Sequence, residues 1–109
     1  MAQFIQVGCS IDYTPGADVA AGAVVVQNDL IGVAKRPIPA NTLGSLDVEG
    51  VFDFPKSTAG GSAIAAGVTV YWNAGAQQAT ATASGNKLIG KTVKAAVDAD
   101  ATVRVRLSQ

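Results

Sequence analysis

Thr102-Val103-Arg104-Val105-Arg106-Leu107 alternates strictly: Val103, Val105 and Leu107 fall on one side of an extended backbone, Thr102, Arg104 and Arg106 on the other. A period of two fits a strand with one buried and one solvated face. It does not fit a helix, whose like faces recur every three or four residues. Working back along the chain, the same period returns at Cys9, Ile11 and Tyr13 against Ser10 and Asp12, ending at the turn signal Thr14-Pro15-Gly16.

Between these ends the chain reads as a series of short strands. Ala23 to Gln27 and Leu30 to Ala34 are separated by Asn28-Asp29, a spacing that suits a tight hairpin, and Pro37 and Pro39 end that pairing because neither has an N–H for a ladder. Leu43–Asp47 and Gly50–Phe54 follow, with a bend at Val48-Glu49, then Pro55 and a loop through Ser62. Thr69–Trp72 is closed by Asn73-Ala74-Gly75, Ala79–Ala83 alternates alanine with threonine, and Val93–Val97 has room for one or two helical turns. Glycines bounding short runs predict an all-β fold: a small single-domain barrel or sandwich of short, mainly antiparallel strands with little helix, spanning 1–109 with residues 1–9 as an extended arm.

An internal repeat accompanies the pattern. Val19-Ala20-Ala21-Gly22-Ala23-Val24-Val25-Val26 returns as Ile64-Ala65-Ala66-Gly67-Val68-Thr69-Val70-Tyr71, and Leu30-Ile31-Gly32 returns as Leu88-Ile89-Gly90, at offsets of 45 and 58 residues. Two readings fit: duplication of a β unit to close a barrel, or reuse of one turn chemistry by unrelated strands.

Composition narrows function. Eight basic and eight acidic residues cancel, so the field that draws proteins to nucleic acid or anionic membranes is missing; a specific duplex binder neutralises about 6–10 phosphates. The charges are unevenly placed. Residues 1–86 carry Lys35, Arg36 and Lys56 against Asp12, Asp18, Asp29, Asp47, Glu49 and Asp53, a net of −3; residues 87–109 carry Lys87, Lys91, Lys94, Arg104 and Arg106 against Asp98 and Asp100, a net of +3. The absence of histidine removes the usual general base and commonest metal ligand. The lone cysteine, Cys9, reads as a small core residue. The start has no basic and apolar leader, and the longest apolar run, Val19–Val26, falls short of the ~18 residues of a membrane span, so export by a cleaved signal and membrane insertion are not expected.

One motif opposes a structural reading. Gly85-Asn86-Lys87-Leu88-Ile89-Gly90-Lys91-Thr92 fits G-x-x-x-x-G-K-[ST], the phosphate-cradling P-loop, and a nucleotide- or nucleic-acid-binding protein using segment 85–92 is the alternative function. A working P-loop follows a buried parallel strand and opens a helix. Here Ala79–Ser84 is too small and polar for such a strand, and no second apolar strand ending in a Mg²⁺-holding aspartate follows. The repeat offers another explanation, since Leu30-Ile31-Gly32-Val33 occupies the same place without a lysine. Asp47, Glu49 and Asp53 read as a solvated strand face, and Asp98 and Asp100 as turn residues.

Four blocks, in order, resemble the short phage capsid cement (head decoration) family, whose members often carry RecA/RadA-like labels: Glu49-Gly50-Val51-Phe52-Asp53-Phe54-Pro55-Lys56, Ala66-Gly67-Val68-Thr69-Val70-Tyr71-Trp72, Gly85-Asn86-Lys87-Leu88-Ile89-Gly90 and Asp100-Ala101-Thr102-Val103-Arg104-Val105-Arg106-Leu107. The resemblance implies a non-enzymatic structural protein, made in the host bacterium's cytoplasm, that binds the outside of a phage head, reinforces contacts between major capsid protein subunits, and forms a homo-oligomer such as a trimer. It implies no catalytic residue, cofactor, metal, small-molecule substrate, membrane or nucleic-acid partner. The interface residues expected from chemistry alone are the outward Arg104 and Arg106, the aromatic pair Tyr71 and Trp72, and the apolar Phe4 and Ile5 of the arm, with core or turn packing as the competing reading of Trp72.

Overall fold

The computed structural model describes residues 2–3 and 8–109. Among them nine strands form and no helix: β1 (Ser10–Tyr13), β2 (Val24–Gln27), β3 (Leu30–Val33), β4 (Gly44–Asp47), β5 (Gly50–Pro55), β6 (Thr69–Asn73), β7 (Gln78–Thr80), β8 (Lys87–Thr92) and β9 (Thr102–Leu107). They build two sheets, β1-β4-β3-β2 and β5-β9-β8-β6-β7, in which every neighbouring pair is antiparallel. The all-β expectation holds in its sandwich form. The second sheet's two edge strands are linked by a single parallel bridge, Lys56 to Ala79, without closing a barrel.

The repeat is a duplication of structure. Val19 and Ile38 exchange two backbone hydrogen bonds of 2.8 Å, and Ile64 and Ala96 do the same at 2.9 and 2.8 Å. The Gly22 N–H donates to Ala34 O and the Gly67 N–H to Thr92 O; the Ala34 N–H donates to Ala23 O and the Thr92 N–H to Val68 O. All these pairs obey the sequence offsets of 45 and 58. Gly22 and Gly67 share φ values of 83° and 77°, a left-handed turn that glycine adopts without a Cβ penalty. Strand order matches too, β1-β4-β3-β2 against β5-β9-β8-β6. The difference between the offsets, 13 residues, is the segment 74–86, which replaces the Asn28-Asp29 hairpin loop and adds β7. Val48-Glu49, the bend between β4 and β5, is where the chain leaves the first copy's sheet for the second's.

The two copies share one core. Ile31 and Val33 of the first sheet, with Val24 and Val26 packed against them, join Phe54, Ile64, Val70, Trp72, Ile89, Val103, Val105 and Leu107 of the second half. Each large aliphatic or aromatic side chain buried there contributes about 1.5–3 kcal/mol. Phe54 stacks edge-on against both Trp72 (6.1 Å between centroids) and Phe52 (6.4 Å). A smaller cluster of Ala34, Ile38 and Leu46, flanked by Ile11, Tyr13, Val19 and Val25, fills the first copy's other face. Between the copies, the Gln109 side chain donates to Ile31 O and accepts from the Ile31 N–H, both at 2.6 Å, and Lys87 meets Asp29 at 2.7 Å. Asp29 and Lys87 stand at corresponding positions of the two copies.

Three local expectations are corrected. Residues 93–97 form no helical turn: Ala96 is held extended by its bridge to Ile64, leaving Val93 and Val97 exposed. The strand at 79–83 is Gln78–Thr80, because Ala79 alone reaches the core and later alanines have no area to bury. Cys9 is exposed in the turn before β1, its Sγ 3.9 Å from a Glu49 carboxylate oxygen.

Candidate functional site

The outer face of the second sheet gathers Asp53, Lys91, Arg104 and Arg106. Val51, Arg106, Lys91 and Thr69 are direct partners across β5, β9, β8 and β6, so their side chains form one row on one face. Val51, Arg106 and Lys91 are exposed. A neighbouring row holds Asp53 and Arg104, and a register shift at Val70/Tyr71 places Leu88, 38% exposed, opposite Tyr71. Thr69, Leu88, Gly90, Lys91, Arg106 and Ser108 line an open groove of about 380 Å³.

Charge pairing on this face is uneven. Arg104 donates through Nε (3.0 Å) and Nη2 (3.3 Å) to the two oxygens of Asp53. That hydrogen bonding holds the Asp53 carboxyl below its usual range, with the charges of Arg104 and Lys94 adding to it against partial desolvation; the same bond holds the Arg104 guanidinium above its ordinary value. Lys91 and Arg106 face each other as like charges, and among the described residues neither has an ion-pair partner. Cross-strand like charges destabilise a sheet, so this pair weakens the fold that carries it.

The structure brings Tyr71, Arg104 and Arg106 to this face, Tyr71 half-buried beside Leu88. Trp72 is corrected to a core residue: it alternates with Tyr71 on β6, points inward with Val70 and is 2% exposed. Its indole N–H has no partner among the described residues. Phe4 and Ile5 lie outside the described residues. Lys91, Val51 and Leu88 were missed as candidates; the P-loop match masked Lys91, whose exposure follows from its place one residue before the inward Thr92.

Segment 85–92 is the end of a turn followed by a strand. Gly85 sits in a turn at φ 74°, and Lys87–Thr92 is β8, between β6 and β9. The Thr92 hydroxyl donates to Ala65 O (2.6 Å) and accepts from the Val68 N–H (3.0 Å), so the oxygen a P-loop would offer to Mg²⁺ is committed to the backbone. A Cβ on Gly90 would lie 1.9 Å from Arg106 O, so the glycine is there for close strand packing.

The carboxylates disperse to separate partners. Asp47 takes Lys35 (2.9 Å) and the Ser10 hydroxyl, while Asp53 takes Arg104. Asp98 accepts from the Ala63 N–H and Asp100 from the Val97 N–H, as turn residues do. Among the described residues no group of three or more His, Cys, Asp or Glu side chains is placed to hold a metal ion.

Lys56 is the buried polar feature that nothing in its local sequence announces. It is 4% exposed, and its Nζ donates to Ser57 O (2.7 Å), Val97 O (2.9 Å), Asp100 O (3.0 Å), Asp98 O (3.3 Å) and the Ser62 hydroxyl (3.4 Å). Backbone dipoles and one hydroxyl satisfy the cation in place of a carboxylate, pinning loop 57–62 to turn 97–100. A buried lysine is a common nucleophile; here its N–H groups are all directed at oxygens.

Compared with known proteins, residues 5–107 match the family model described as phage cement protein. No curated protein and no solved structure matches.

Proposed function

The chain belongs to the phage cement protein family, and from that premise we propose that it binds the outer surface of a phage head and reinforces contacts between major capsid protein subunits. The family is one of structural proteins of the phage capsid. The observation that carries the finer reading is the exposed face of the second sheet, where Arg106 and Lys91 lack ion-pair partners among the described residues and stand among Val51, Leu88 and Tyr71. Arg106 and Tyr71 are the contacts favoured there, with Arg104 beside them. A rigid β body loses little conformational entropy on docking, and copies repeated around a shell combine individually weak contacts through avidity. A homo-oligomer, with a trimer favoured, is the form in which one body spans several subunits.

The test is co-sedimentation of purified protein with expanded heads lacking it. Saturable binding, together with heads that resist heat or low salt better once decorated, is the expected result. Absence of binding at any protein concentration would remove the reading.

A further inference from the structure

We infer that the row Val51–Arg106–Lys91–Thr69 and its groove are a docking surface for a carboxylate-bearing protein surface, and that salt bridges to Lys91 and Arg106 set the affinity. This rests on the cement reading and specifies the chemistry of the capsid surface that the protein meets.

The two copies of the repeat supply the first argument. In the first, Val24, Val26 and Val33 present one face of the hairpin, and that face is packed into the shared core. At the offsets of 45 and 58 the second copy has Thr69, Tyr71 and Lys91, and its face lies at the surface, with Lys91 exposed. Thr69 and Tyr71 are half-buried, as Val24 and Val26 are, and the copies part at Val33, buried in the core, against Lys91, exposed. The second copy's face has gained charge while keeping Tyr71 and Leu88, and Val51 at the row's far end is 55% exposed.

The second argument is electrostatic. Lys91, Lys94, Arg104 and Arg106 share this region with Asp53 and Asp100, a local excess of +2 in a chain whose net charge is zero. A partner bearing carboxylates converts the repulsion of Lys91 and Arg106 into attraction on docking. Four cations are fewer than the about 6–10 phosphates a specific duplex binder neutralises. Apolar side chains flanking an arginine and a tyrosine suit a protein interface better than a phosphate backbone.

The experiment compares wild type with Lys91→Gln/Arg106→Gln for binding to heads lacking the protein, at about 50 and about 300 mM salt, alongside thermal melting. Wild-type affinity is expected to fall about tenfold or more across that range, and the double variant to bind about tenfold more weakly at low salt with most of the salt dependence gone. Its melting temperature is expected to stay level or rise, because the like-charge pair has been removed. Lys35→Gln/Arg36→Gln, which removes the same charge elsewhere, is expected to bind as wild type does. Variant binding within about twofold of wild type, or lost binding with a lowered melting temperature, overturns the inference while leaving the cement reading intact. Wild type that binds no heads overturns both, and a DNA mobility shift at low salt reassigns the face to nucleic acid.

Discussion

Replacing Lys56 with methionine keeps a long apolar stem in the corner between loop 57–62 and turn 97–100 and deletes the ammonium at its end. An ammonium has three N–H groups, and the nearest acceptors are Ser57 O, Val97 O and Asp100 O at 2.7, 2.9 and 3.0 Å. Hydrogen bonds to a charged group contribute roughly 1.5–3 kcal/mol each. Against their loss stands the return of the desolvation cost of the buried cation, itself several kcal/mol. The balance is decided by the carbonyls left behind, which keep their place but lose their donor, at about 1–3 kcal/mol for each that water cannot reach. The groove lined by Lys56, Ser57, Gly61 and Ser62, about 210 Å³, admits water to part of the cluster. The expected net loss is therefore about 3 kcal/mol, or a melting temperature lower by about 10–20 °C in a chain of this size. Trp72, the sole tryptophan, stacks on Phe54 and reports unfolding by fluorescence. Lys56→Ala leaves an oxygen-lined hole, so ammonium or potassium is expected to recover part of its stability where sodium at equal ionic strength does not. Lys56→Met melting within about 2 °C of wild type would refute the reasoning, because it would mean that burial of the cation and its hydrogen bonds cancel.

Gly90→Ala places a Cβ 1.9 Å from a backbone oxygen that cannot rotate away, whereas Gly32→Ala, at the matching position of the first copy, meets Leu46 side-chain atoms at 2.8 Å. Both are expected to destabilise by about 1–3 kcal/mol or more, Gly90→Ala the more severely, as denaturant midpoints would record. Excess Mg-ATP is expected to leave the wild-type melting temperature unchanged, since β8 has no phosphate-cradling loop and the Thr92 hydroxyl is committed; a rise that disappears in Lys91→Ala would restore the nucleotide reading. Asp53 has a folded-state pKa below its ordinary 3.8, so its pairing with Arg104 adds stability above that value and loses it as pH falls through the lower folded value. Both side chains are about half exposed, so the contribution is small and salt-sensitive. Asp53→Asn is expected to melt slightly below wild type at neutral pH and to converge with it in strong acid; a constant difference across the range would show that the pairing is not its source.

Much of the fold was legible because alternation survives wherever one strand face is buried and the other wet. β9 is the clearest case, its exposures alternating residue by residue. The same signal was present in β6, where Val70 and Trp72 share the inward side, and alternation alone would have placed Trp72 in the core. Destination was not legible: Gly44–Asp47 and Gly50–Pro55 read alike as neighbouring strands, and nothing in Val48-Glu49 tells that they enter different sheets. Arg104 and Arg106 could be assigned to the outer face directly, but the pairing that makes Arg106 a neighbour of Lys91 depends on register between segments far apart in sequence. Lys56 was invisible for the same reason, since three of its carbonyl partners lie more than 40 residues away.

The duplication gives the chain an internal comparison, and it separates what the fold requires from what the surface is for. Where the copies agree, the shared residue has a structural cause: Gly22 and Gly67 make the same left-handed turn, and Leu30-Ile31-Gly32 and Leu88-Ile89-Gly90 pass tightly beside the next strand. Where they disagree, a difference in environment accompanies the change. Val33 is 6% exposed and its counterpart Lys91 is exposed; Asp29 and its counterpart Lys87 pair with each other across the copies. The 13-residue insertion adds β7, whose Ala79 sits opposite Trp72 and enters the core. The P-loop match straddles the two categories. Its Leu-Ile-Gly belongs to the repeated scaffold, its Gly85 and Asn86 belong to the insertion, and its Lys91 is a position the first copy fills with valine. A motif assembled from three structural origins has no common phosphate to serve, and Lys91 is better accounted for by the face it shares with Arg106.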